Sequence, residues 1–240
     1  MRLTLVVTSQ RPPRRPRAGV PGPALATLTR MNPPRDVRLV LASASPTRLA
    51  TLRAAGLRPE VVVSGVDESA VQADTVAELT ARLARLKAEA VAAVLPPSPL
   101  ATLVLGCDSM LELDGTGYGK PVDPERAVER WRRMRGRSGV LHTGHHLLLL
   151  DGPEPRTAAA VASTTVHFAD LDDDEIEAYV ATGEPLQVAG AFTVDGLGGA
   201  FVRGIEGDHH NVVGISLPLL RDLVRGLGLR WPALWSPPAT

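Results

Sequence analysis

Apolar runs in this chain are short, and each opens into a polar loop. Residues 38–43 (RLVLAS) and 101–106 (ATLVLG) have the length and continuous apolar character of buried strands; the second ends directly at Cys107-Asp108-Ser109. Another run, 60–68 (EVVVSGVDE), reads as a strand that leaves into Asp67-Glu68. Between these runs the periodicity is helical. Ser45-Pro46 predicts a helix start continued through Leu49, Leu52 and Leu57, with Gly56 helping to end it. Leu79, Leu83, Leu86 and Ala90 then recur at helical spacing across 76–94, with Lys87 among them.

The second half is antiparallel in character. Met110 to Leu113 and Asp114-Gly115 predict a hairpin returning to Gly119-Lys120-Pro121, and a helix through Val128, Trp131 and Met134 follows Asp123-Pro124. Residues 140–150 and 157–168 flank Asp151-Gly152-Pro153 as a long hairpin; a short acidic-capped helix follows 170–174, then a glycine-rich stretch, then a closing helix over 217–227. Strands alternating with helices, then pairing antiparallel, define an α/β class with a mixed sheet flanked by helices. A chain of 240 residues fits one such domain, expected over 38–230, with 231–240 as a C-terminal tail. Residues 1–37 are read as an extension, disordered or upstream of the true start. Their Pro, Gly and Arg density blocks helix and sheet, and a second methionine, Met31, precedes the first strand.

Whole classes of function drop out. No apolar run approaches the length of a membrane span, so no membrane partner is expected. One cysteine makes neither an internal disulfide nor a structural zinc site, and a reducing cytoplasm is the expected home. Net charge is zero, but the first 36 residues hold seven arginines against Asp36 alone, leaving the remainder at −6. An acidic body argues against a nucleic-acid polymer as partner and favours a small ligand.

Lysine usage points to the chemistry. Arginine occurs 24 times and lysine only at Lys87 and Lys120, so these are places where a compact ammonium on phosphate oxygens would be hard to replace by a guanidinium. Lys87 fits equally a leftover surface lysine, whereas the Gly-Lys-Pro turn aims Lys120. Asp108 after a buried strand suits a group held at the mouth of a crevice, able to bind a divalent metal or take a proton from attacking water; a turn-capping role is the alternative. Glu68, beside Asp67, offers a second carboxylate. One or two carboxylates plus substrate phosphate are what magnesium needs. Ser43, Ser45, Thr47 and Arg48 lead into a helix N-terminus where hydroxyls, N–H groups and a guanidinium could meet phosphate, although Ser-x-Ser-Pro is also simply a capped helix start.

Other features carry less. His142, His145 and His146 suggest zinc, but strand alternation leaves only His142 and His146 on one face. Arg130, Arg132, Arg133, Arg135 and Arg137 are spread around a helix and offset by Glu125 and Glu129, as on a solvated face. Cys107 has no neighbouring base and alternates away from Asp108, so it reads as packing.

Together these residues resemble the Maf family of nucleoside triphosphate pyrophosphatases. The landmarks are Ser43-x-Ser45-Pro46-x-Arg48, Val66-Asp67-Glu68, Leu83-Ala84-x-x-Lys87-Ala88, Gly106-x-Asp108, Gly119-Lys120-Pro121 and Asn211-Val212-Val213-Gly214, in order between Arg38 and about Leu229. The resemblance implies a Maf/ITPase-like fold with two lobes around a nucleotide-binding cleft, and hydrolysis of the α–β phosphoanhydride of a nucleoside triphosphate with Mg²⁺ or Mn²⁺ as cofactor. It implies Asp108 as the catalytic acidic residue, Glu68 as a second acidic or metal-linked one, and Ser43, Arg48, Lys87 and Lys120 as the triphosphate set; a homodimer is common in the family. Members acting on dTTP and UTP resemble SxSPRR, with arginine, threonine and glutamine where this chain has Thr47, Ser109 and Asp195. An acid at the last position resembles the branch acting on 7-methylated GTP, whose other two residues are absent, so the base stays open. A second reading from another class is a nucleotide-sensing regulator of septation that binds without turnover.

Overall fold

The structure, a computed structural model, describes residues 37–235; the expectations for 1–36 and for the last five residues lie outside them. Strand β1 (Val37–Ala42) carries the first apolar run and helix α1 (Pro46–Ala54) follows at once, with Ser45 as its N-cap and Pro46 in its first turn. Strand β2 (Glu60–Val61) is only two residues long, and Val61 and Val63 are exposed. The strand expected across the 60–68 run is therefore corrected to two residues at an edge. It pairs only with β1, so at the sheet edge just one side of the chain finds apolar partners.

Helix α2 (Val76–Val94), capped by Thr75, lays Thr80, Leu83, Ala84, Lys87, Ala88 and Val91 against one face of the sheet. Strand β3 (Ala101–Leu113) does not stop at Gly106 but runs on, turns through Asp114 (φ 53°) and Gly115 (φ 74°), and pairs with β4 (Thr116–Tyr118). Helix α3 (Pro124–Met134) is followed by the hairpin of β5 (Ser138–Leu150) and β6 (Arg156–Phe168), then α4 (Asp173–Ala181), whose Asp172 and Glu175 form a capping box. Strand β7 (Val202–Glu206), α5 (His209–Val213) and α6 (Leu217–Gly226) complete the fold.

The sheet has the order β2-β1-β3-β5-β6-β7, with β4 on the far length of β3; the β1 contacts are parallel and all others antiparallel. This is the mixed-sheet α/β class. Opposite α2, one core joins Leu103, Leu105, Cys107, Leu147 and Leu149 to α1 and α6, and another joins Leu111, Leu113, Leu141, Val166 and Phe168 to α3 and α4. The two cores occupy successive lengths of β3 and β5, and Ser109 stands where one gives way to the other. Residues 231–235, expected as tail, instead turn back onto the first core: Leu234 is buried and Trp235 bridges to Leu57.

Two glycines set the distance of α2 from the sheet. A Cβ on Gly106 would stand 2.9 Å from the Ala88 nitrogen, and one on Gly144 would stand 2.5 Å from the Thr80 carbonyl carbon. Gly144 pairs directly across from Asp108, and Gly106 lies two residues before it on the same face. The backbone of α2 therefore rests on the sheet around Asp108.

Candidate active site

Strand β1 ends at Ala42 opposite Gly106, while β4 joins β3 only from Leu111 onward. Residues 107–110 of β3 therefore pair on one side only. The notch opens into a cleft of about 530 Å³ that reaches both faces of the sheet. Asp108 was expected just past a strand end; it lies within β3, and what ends there is the neighbouring strand. The crevice arises all the same, because a missing neighbour exposes a mid-strand side chain as a terminus would.

The ten residues assigned catalytic or substrate-binding roles from the sequence all line this cleft: Ser43, Ser45, Thr47, Arg48, Glu68, Lys87, Asp108, Ser109, Lys120 and Asp195. Asp67 does not. Its carboxylate accepts from the backbone N–H (3.0 Å) and hydroxyl (2.7 Å) of Ser69, fixing the short turn that presents Glu68.

Lys87 and Asp108 form the buried centre. The Lys87 ammonium lies 2.5 Å from Asp108 Oδ1 and 2.8 Å from Glu68 Oε1, bridging the two carboxylates. Burial pushes the Asp108 carboxyl above its ordinary range, with the charges of Lys87 and Arg48 pulling the other way. Asp108 Oδ2 is buried and has no hydrogen-bond partner among the described residues. An ionised oxygen in that state costs free energy unless a ligand, cation or water satisfies it. Among the described residues no cluster of three or more His, Cys, Asp or Glu could hold a metal. Asp108 Oδ2 with half-exposed Glu68 nevertheless fits a hard divalent cation that keeps several waters and takes the rest of its shell from phosphate.

Arg48 is nearly saturated by the chain itself. Its guanidinium donates to Gly214 O (2.9 Å), Ser43 Oγ (3.1 Å), Cys107 O (3.0 Å) and Ser109 Oγ (2.8 Å). It offers a ligand its charge and one remaining N–H, while tying α1, the notch in β3 and the α5 turn together. Ser43 Oγ accepts from Arg48 and from the Ser45 N–H (3.2 Å), which leaves its own proton to donate. The Ser45 hydroxyl caps α1. Asn211 bolts α5 to β5 and β6 through Leu141 O (3.1 Å) and Thr164 Oγ1 (3.0 Å), so Gly214 is held where Arg48 needs its carbonyl. Lys120 and Asp195 are exposed on the cleft walls.

Other expectations resolve differently. Cys107 points into the first core and burial pushes its thiol up to about 12. His142 lies between Ser163 (2.8 Å) and Glu112 (3.1 Å), and His145 donates to Thr143 O while accepting from Ser216 N–H (2.9 Å). Arg130 is not on a solvated face: it is buried, donates to Gly119 O (2.6 Å) beneath the Lys120 turn, and stacks on Tyr118 at 4.9 Å. Its spacing from Ala127, Trp131 and Met134 put it on the buried stripe, a signal that its charge obscured. The wall made by Gln187, Val188, Phe192 and Thr193 had no sequence signal beyond a glycine-rich stretch.

The model of the family described as Maf-like protein matches residues 38–227. The chain belongs to that family. The chain is similar to a protein named nucleoside triphosphate pyrophosphatase from Salinispora tropica, 63% identical over 201 residues, covering 83% of this chain and 88% of that protein's length. Proteins of the same name from Streptomyces coelicolor and Cutibacterium acnes are 56% and 52% identical, covering 86% and 83% of this chain and 98% and 95% of their own lengths. The cleft described above is thus a feature of a Maf-like chain in which both lysines fall at the site.

Proposed function

We propose that this chain hydrolyses a nucleoside triphosphate between the α and β phosphates, giving the monophosphate and pyrophosphate. The relatives' shared name supports the reaction. The observation that carries it in this chain is the unpaired Oδ2 of Asp108, buried in a cleft whose other charged groups include Lys87, Lys120 and Arg48.

Triphosphate oxygens are received by the Ser43 hydroxyl and the ammonium of Lys120, and Arg48 holds Ser43 and Ser109 in place while adding its charge. Lys87, at 2.5 Å, opposes the burial-driven rise of the Asp108 carboxyl and holds it in register. Asp108 Oδ2, the one carboxylate oxygen of that residue not already committed, meets either the attacking water, as its base, or the divalent cation. Cationic side chains fixed before the substrate arrives stabilise charge developing on the leaving pyrophosphate. Asp108 and Glu68 would hold Mg²⁺ or Mn²⁺, which when bound supplies Lewis-acid polarisation of the phosphoryl oxygens. The nucleobase lies toward Thr47, Ser109 and Asp195. A cytoplasmic homodimer is the form proposed, on the family resemblance and the buried free thiol of Cys107; no helix among the described residues is long and apolar enough to cross a membrane.

Asp108→Asn tests the assignment, since the amide keeps the shape but takes no proton. Turnover is expected to fall at least about 10³-fold while nucleotide binding survives. Unchanged turnover would remove Asp108 from the reaction.

A further inference from the structure

One polar cluster on the nucleobase side of the cleft belongs to none of the machinery above. Glu184 turns its carboxylate toward the loop 193–198. Its Oε1 accepts from the Thr193 hydroxyl (2.5 Å), the Tyr179 phenol (3.0 Å) and the Gly198 N–H (3.0 Å), and its Oε2 accepts from the Leu197 N–H (3.0 Å). The Tyr179 oxygen in turn accepts the Thr193 N–H at 3.2 Å. Glycine makes the approach possible: a Cβ on Gly196 would stand 2.6 Å from Glu184 Oε2. Partial burial opposes ionisation of Glu184, but the hydrogen bonds from Thr193, Leu197, Gly198 and Tyr179 outweigh it and hold the carboxyl below its usual range. At neutral pH Glu184 is therefore an acceptor only.

That fixes the polarity of a neighbour. A threonine hydroxyl has one proton and two lone pairs, and ordinarily rotates to suit its partner. In this cluster the proton goes to Glu184, so Thr193, which lines the cleft, can only accept from a ligand. Asp195, on the same wall, is likewise an acceptor when ionised. We infer that Thr193 is a base-reading residue whose hydroxyl Glu184 locks as an acceptor, so that this wall selects a nucleobase edge bearing N–H donors. The inference rests on a nucleotide occupying the cleft. A base presenting acceptors there would leave lone pairs facing lone pairs, and a site that depends on such a hydrogen bond discriminates strongly against ligands lacking it.

The test is calorimetric binding of hydrolysis-resistant α,β-methylene analogues of GTP, ATP, UTP and CTP, and of ribose 5′-triphosphate as the base-less reference, to the full chain with Mg²⁺. Thr193→Val is expected to weaken the best-bound nucleotide about tenfold, the equivalent of one hydrogen bond, while ribose 5′-triphosphate affinity is unchanged. Thr193→Ser, which keeps the acceptor, is expected to restore it. Glu184→Gln, whose amide can donate to Thr193, is expected to reorder the preference among the bases. Equal weakening of nucleotide and base-less ligand would make the cluster a brace only and overturn the inference, as would a Thr193→Val protein indistinguishable from wild type. Binding that shows the expected pattern while the natural triphosphates are not cleaved would refute the hydrolase reading and leave this one standing.

Discussion

Replacing Gly144 by alanine probes how the fold builds the charged centre. The new Cβ would stand 2.5 Å from the Thr80 carbonyl carbon and 2.8 Å from the Ala81 nitrogen, both backbone atoms of α2 that no rotamer change can move aside. Relief to ordinary contact requires α2 to rise by roughly 1 Å, an overpacking strain that costs about 1–3 kcal/mol. For a domain of this size that is a fall in Tm of about 2–12 °C. Lys87 rides on the same helix, and its 2.5 Å contact with Asp108 stretches with the lift. A misplacement of roughly 1 Å at a catalytic group can cost about 10²-fold in rate. Thermal unfolding and steady-state turnover of Gly144→Ala, beside a Gly152→Ala control that has open space around its Cβ, measure both effects. Wild-type Tm and turnover would refute the close approach. Lost Tm with full turnover would show that the approach does not set the position of Lys87.

Further outcomes follow from the same geometry. Because burial raises the Asp108 carboxyl and Lys87 opposes that rise, kcat/KM should fall with decreasing pH at a value above the ordinary ~4 of aspartate. Lys87→Met should move the Asp108 titration higher still by carbonyl ¹³C NMR, and a downward move would contradict the pairing. The sign for stability is the reverse: the raised folded-state value stabilises the fold below the ordinary aspartate range, and that contribution disappears as pH rises through the folded value. Trp131, fully buried with ring edges against Phe168, Tyr179 and Phe201 and donating to Ala191 O at 2.7 Å, anchors the second core; Trp131→Ala should cost about 3–5 kcal/mol in urea unfolding. Cys107, buried with its thiol pushed up to about 12, should resist iodoacetamide until the protein unfolds, and rapid native labelling would contradict its packing.

The sequence displayed the parts of the site more readily than the device that joins them. Strand-then-helix runs, the Ser45-Pro46 cap, the Asp114-Gly115 hairpin and the two lysines were legible because each is a local signal: period, cap, turn or rarity. The notch was not, since it depends on where β1 stops relative to β3, a register that periodicity does not encode. For the same reason the 60–68 run reads as a longer strand although only Glu60–Val61 pair, at an edge. Arg130, read as part of a solvated face, and Glu184, which carries no local signal, were missed because their work lies in long-range hydrogen bonds, to Gly119 O and to the 193–198 loop.

The most direct test of the central claim is product identity. The purified full chain, incubated with Mg²⁺ or Mn²⁺ and a panel of standard and modified nucleoside triphosphates, should yield monophosphate and pyrophosphate in equal amounts by ion-exchange chromatography. Diphosphate with orthophosphate would contradict the cleavage position, and nucleotide binding with no product from any triphosphate would contradict the hydrolase itself.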